Sequence, residues 1–155
     1  MFELLFLFSF ILHNIEEALW LPGWSGRFHP AVKKNGFRFA LIVVTALGGL
    51  LTFLFLAYGA GSSVIKYLYF GFVLMMAANA VFPHLAATVI TRKYAPGTLT
   101  GLMLNLPVGL YLVFGVHSKE ITDPGLIGAF LLVTAGTLLA LRPLFRIGDK
   151  ITGDC

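Results

Sequence analysis

Charge is scarce in this chain. Asp, Glu, Lys and Arg make up 12% of its 155 residues, against about 25% in a soluble domain. Hydrophobic residues account for 58% and the mean hydropathy is +0.89. Too little polar surface is left to cover a water-facing globule, so lipid is the expected solvent. Cysteine is nearly absent as well: Cys155 is the only one. That excludes a disulfide framework and a thiolate-rich metal site, and the closing Gly-Asp-Cys does not fit a prenylation box. A basic leader is also missing. The N-terminus carries Glu3 where a signal peptide needs positive charge, and no small-x-small cleavage site follows. It reads as a retained span. There is no internal repeat and no low-complexity tract.

Apolar stretches are plentiful. Those at about 3–24, 38–58, 65–91, 99–117 and 125–142 are each long enough to cross ~30 Å of hydrocarbon as a helix. Turn chemistry separates them: Pro22-Gly23 with Gly26 and His29-Pro30, then Gly59 to Ser63, then Pro96-Gly97, then Asp123-Pro124-Gly125. Five spans use about two thirds of the chain, so residues 1–155 form one transmembrane domain. The expected fold is an all-α bundle of five transmembrane helices.

The net charge of +4 is a topology signal and not a nucleic-acid footprint, because the basic residues sit at the ends of the apolar runs. Arg27, Lys33, Lys34, Arg38, Arg92, Lys93, Arg142, Arg146 and Lys150 fall on one side of a five-span chain, and Lys66 and Lys119 on the other. This bias puts the N-terminus outside and the C-terminus in the cytoplasm. It fits a multi-pass protein of a prokaryotic plasma membrane. Trp20, Trp24 and Phe28 stand where interfacial anchors of the first span are expected.

Polar residues inside the spans carry the functional signal. His13, Glu16 and Glu17 follow the pattern H-x-x-E-E. At ~100° per residue the two glutamates flank His13 on one helix face, and Ser9, Trp20 and Trp24 fall in the same arc. An ionisable residue at mid-bilayer costs about 2.5–3.5 kcal/mol, so the three must face the bundle interior. The third span supplies Asn79 and His84, and the fourth Asn105. Counted from the cytoplasmic end, all lie within about one helical turn of a common level. Pro83 opens the turn at Asn79; without that distortion Asn79 and His84 would not share a face. Pro107 does the same beside Asn105.

Three chemistries fit the cluster. His13, Glu16 or Glu17, and His84 could hold zinc or iron with an open coordination position. Without metal, the adjacent carboxyls would titrate apart, and Glu17 or Glu16 could work as base with His84, Asn105 donating to a developing oxyanion. The third is a buried ion-pair network that fixes helix packing. A proton or ion path is a further alternative, and five short helices would then imply a homo-oligomer. The Tyr94 to Thr98 turn has separate physics. Thr98 is placed to cap the fourth helix, and backbone N–H groups beside Arg92 and Lys93 suggest a seat for a phosphate or lipid headgroup.

The constellation His13-Asn14-Ile15-Glu16-Glu17, Asn79-Ala80, His84, Arg92 to Thr98 and Leu104-Asn105-Leu106-Pro107 resembles the HXXEE-domain family of membrane proteins. The resemblance implies that His13, Glu16, Glu17, His84 and the Tyr94 to Thr98 turn matter, and leaves their chemistry open. A looser likeness is to glutamate-dependent CAAX-processing proteases, from which the chain departs at Leu21, where their motif has Arg, and in lacking F-x-x-x-H. Sterol isomerases of the five-helix type also use a His and a Glu one turn apart, as His13 and Glu17 are here. Together these readings predict a membrane-embedded enzyme for a lipid-like substrate, with catalytic Glu16, Glu17, His84 and Asn105. Metal ligands would come from His13, Glu16, Glu17 and His84, and substrate contacts from Asn79, Tyr94 and Thr98.

Overall fold

The computed structural model of the chain describes residues 1–26, 33–117 and 124–153. Arg27, Phe28, the His29-Pro30 turn, Lys119, Asp123 and Cys155 lie outside the described residues. Every regular element among the described ones is helical. Five helices are long and apolar enough to cross a membrane: α1 (Phe2–Ser25), α2 (Lys34–Tyr58), α3 (Ser63–Thr91), α4 (Thr98–Val116) and α5 (Pro124–Thr152). The first four match the expected spans within a few residues. The last runs ten residues beyond position 142. Its apolar run ends there, but the helix continues with Arg142, Arg146 and Lys150 on its exposed or partly exposed side and Gly148 buried. Phe145 meets Phe37 of α2 across 5.9 Å between ring centroids.

Phenylalanines fill the centre of the bundle. Phe6 and Phe10 of α1 meet Phe72 of α3 edge-on, and Tyr69, Phe70, Val73, Leu112 and Val113 complete a buried core. Small residues set where helices touch, as expected when lipid offers no hydrophobic drive between them. A Cβ on Gly71 would lie 2.8 Å from the carbonyl of Ala129, so α3 and α5 are in backbone contact there. At its other end α5 has moved to α2: a Cβ on Gly148 would lie 2.8 Å from the Cα of Gly36. Thus α5 leans from α3 towards α2 along its length.

Two prolines leave their mark. Pro22 has no N–H for the carbonyl of Ala18, four residues before it, and Arg38 Nε of α2 donates to that carbonyl at 3.0 Å. In α3 the helix breaks before Pro83, where Phe82 is extended (φ −131°, ψ 119°), the conformation that a following proline favours. The break turns His84 inward. α4 is wound loosely, with Leu106 N–H bonded to the Gly101 carbonyl and His117 N–H to that of Leu112, each five residues back. At the far end of the bundle His117 Nε2 lies 3.3 Å from Glu3 Oε1.

Candidate functional site

His13 and Glu17 stand one turn apart on α1, and both are buried. Because α3 is broken at Phe82, Asn79 and His84 reach them from the two sides of the break. His84 Nε2 lies 2.8 Å from Glu17 Oε1, and His13 Nε2 lies 3.8 Å from the same oxygen. The two imidazoles meet edge-on with centroids 5.0 Å apart. One ligand-type atom from each of His13, Glu17 and His84 lies within 4.8 Å of the others. The expected meeting of Glu17 with His84 at one depth is what the fold makes.

The hydrogen bonds assign the His13 tautomer. Asn79 Nδ2 can only donate, and it sits 3.2 Å from His13 Nε2, so that nitrogen is the acceptor. Nδ1 then carries the proton and donates to Thr100 Oγ1 at 3.0 Å, and the Thr100 hydroxyl donates to Glu16 Oε2 at 2.6 Å. The result is an imidazole oriented from behind by a hydroxyl and a carboxylate, with Nε2 accepting from Asn79 and lying 3.8 Å from Glu17 Oε1. Metal-binding histidines are held in this way.

Glu16 departs from its expected role. Its carboxylate turns away from the cluster, towards the start of α4. Oε1 accepts the Gly97 N–H at 2.8 Å and the Tyr94 hydroxyl, and Oε2 accepts the Thr100 N–H at 3.2 Å as well as its hydroxyl. With four donors on it, Glu16 is not available to the cluster that His13, Glu17 and His84 form. This also corrects the expectations for the turn. Thr98 does not cap α4; its hydroxyl donates to the Ala95 carbonyl at 2.6 Å and pairs with Thr88 at 2.8 Å. Nor are the N–H groups at the helix start a seat for an external phosphate, because the chain's own Glu16 fills that position. Tyr94 serves Glu16, and it accepts the Leu99 N–H at 3.2 Å. Its pKa is pushed up to about 12, first by partial burial and then by donation to the carboxylate.

Asn105 is fully buried, but it is not brought to Glu17, and neither atom of its carboxamide has a partner among the described residues. Trp20 is 58% exposed and Ser9 is buried with its hydroxyl on the Leu5 carbonyl, so the polar arc expected along α1 is shorter than one face of four turns.

Beside the cluster lies a cavity of about 500 Å³ between α1, α2, α3 and α5. Glu17, His84, Asn79 and Asn14 form its polar end, and Val44, Met75, Met76, Leu138 and Leu141 much of the rest. Asn14 donates to Thr45 at 2.6 Å. Three participants escaped the sequence reading. Asn14 was inside the motif and is polar in a span, which is a usable signal. Thr100 and Thr134 carry none, because threonine is ordinary in membrane helices.

Comparison with known proteins gives a family and no activity. The profile of a family described as "protein of unknown function with HXXEE motif" matches residues 4–112, which takes in α1 through most of α4 and leaves out α5. An uncharacterized protein of Bacillus subtilis (strain 168), YrkK, is 45% identical to the chain, with 97% of this chain and 98% of that protein covered. No solved structure matches.

Proposed function

The chain belongs to the HXXEE family, and we propose that it is a membrane-embedded enzyme acting on a lipid-like substrate, with a zinc or iron ion held by His13, Glu17 and His84. One observation carries this reading: three buried ligand-type atoms converge within 4.8 Å at the polar end of an apolar cavity. Two imidazoles and one carboxylate suit catalytic zinc or non-haem iron and leave positions open. When bound, the ion supplies Lewis acidity or an activated water. Asn79 orients His13, Thr100 and Glu16 hold it from behind, and the apolar wall keeps bulk water away. The test is the metal content of the full chain, purified without chelators, beside a His84→Ala variant. Stoichiometric zinc or iron that is lost in the variant supports the reading. No metal in either protein would sink it.

A metal-free reading is favoured by the direct 2.8 Å contact between His84 Nε2 and Glu17. It makes these two an acid–base pair for a hydrolase or isomerase. Metal-free protein that turns over lipid and loses turnover in Glu17→Gln supports it. If His84→Ala and Glu17→Gln both fail to assemble, the packing-network reading gains over both enzyme readings.

The proposed orientation has the N-terminus outside and the C-terminus in the cytoplasm of a prokaryotic plasma membrane, on the strength of the lysine and arginine bias. Cys155, the sole cysteine, makes it testable. A membrane-impermeant maleimide should label inverted vesicles and spare intact cells; the reverse would overturn the orientation.

A further inference from the structure

Resting on that reading of the Glu17–His84 end as the reactive end, we propose that the substrate is a long single-chain alcohol that enters sideways from the bilayer between α3 and α5.

The mouth of the cavity is identifiable. Of its lining residues, Ala78, Phe82 and Pro83 on α3 and Leu138 on α5 are exposed, and none on α1 or α2 is. Phe82 is 76% and Leu138 64% exposed. The gap between them follows from how α5 runs, touching α3 at Gly71–Ala129 and then leaning to α2 at Gly36–Gly148. Phe82 and Leu138 lie well inside helices long enough to span a bilayer, so the opening faces hydrocarbon. What enters is what the bilayer carries. The break at Phe82 serves two ends: it turns His84 inward and leaves the Phe82 side chain at the mouth.

The lining chemistry narrows the occupant. A volume of about 500 Å³ lies in the ~300–1,000 Å³ range of small-molecule sites, which suits one chain and a small head. Among the described residues no Lys or Arg lines it, so a phosphate head would find no cationic partner there. Imidazole, carboxamide and carboxylate groups instead match an uncharged oxygen head that both donates and accepts hydrogen bonds. The opposite wall adds two threonines, Thr134 and Thr137. Thr45, Thr52, Thr91 and Thr152 return their hydroxyls to the carbonyl four residues back. Thr134 does not, and its buried hydroxyl has no partner among the described residues.

Trp24 lines this cavity, and Trp20 is the other of the two tryptophans. A Trp20→Phe protein in phosphatidylcholine nanodiscs therefore carries a single reporter. Titration with dibromostearyl alcohol should quench Trp24 saturably, and several-fold more than phosphatidylcholine carrying the same brominated chains at equal mole fraction. Excess unlabelled oleyl alcohol should reverse the quenching, and Thr134→Phe should abolish it. Chelator-treated protein should retain it, which separates this proposal from the metal reading: saturable quenching in metal-free protein leaves the entry path standing. Quenching that is linear, equal for both brominated lipids and not reversed by oleyl alcohol would overturn the proposal, as would no quenching. The oleyl alcohol competition decides the matter even if Thr134→Phe does not fold.

Discussion

Glu16 and Gly97 lie 81 positions apart in sequence, yet the carboxylate of the first accepts the backbone N–H of the second at 2.8 Å. A helix start normally draws its cap from the residue just before it. Here α4 draws its cap from α1. Glu16 and Glu17, adjacent in the motif, thus have different work: one fixes the scaffold and the other faces the cavity.

That division predicts opposite phenotypes. Glu16→Ala strands the N–H groups of Gly97 and Thr100 and the hydroxyls of Tyr94 and Thr100, and should destabilise the protein by about 3 kcal/mol or more. Glu17→Gln keeps the shape of the side chain and should cost less stability than Glu16→Ala when both proteins are compared metal-free, while abolishing metal retention. Thermal unfolding in detergent, read beside metal content, checks both. Equal destabilisation by the two changes would contradict the division.

Gly97 has φ +91°, and a Cβ there would lie 2.7 Å from His84 Nδ1 and 3.0 Å from His13 Cε1. Gly97→Ala should cost about 1–2 kcal/mol in backbone strain and push both imidazoles out of register. Metal content should fall even though no ligand is altered. A fully metallated Gly97→Ala protein would show that the imidazoles tolerate the shift.

Tyr94 holds its proton more tightly in the fold than in the unfolded chain, at about 12 against 10. The stabilisation from its hydroxyl is therefore whole below pH 10 and lost as the pH rises through about 12. Wild type should melt above Tyr94→Phe at neutral pH, with the gap closing over that window. A gap that closes below pH 9 would mean that another group is titrating.

Asn105 buries a carboxamide with neither atom paired among the described residues, an arrangement that costs about 1–3 kcal/mol. Asn105→Leu, similar in size and apolar, should raise stability by ~1 kcal/mol. If the variant is stable and turnover is unchanged, the oxyanion role expected for Asn105 is removed.

The five helices were legible because apolar runs of that length have one reading in a nearly uncharged chain. The pairing of Glu17 with His84 was legible from depth, since both sit at similar distances from basic loop residues. The separation of Glu16 from Glu17 was not. Neighbouring glutamates on a helix are equivalent until something decides which way each turns, and two of the four donors that turn Glu16 are backbone N–H groups that leave no trace in the sequence. Asn105 was misplaced for a related reason: equal depth does not give equal azimuth, and α4 has a looser winding than the ideal helix used to project it. The extension of α5 was hidden because hydropathy ends at position 142 although the helix does not.

The cap on α4 bears on how the protein is made. Every polar partner described for His13, Glu16 and Glu17 across the bundle comes from residues 79–100. During synthesis α1 emerges first, and its three ionisable groups have no counterpart until most of the chain has followed. Such a helix is a poor candidate to leave the insertion machinery for lipid alone. It must be kept near water or protein until α3 and α4 arrive, so the motif sets a timetable for assembly as well as a site.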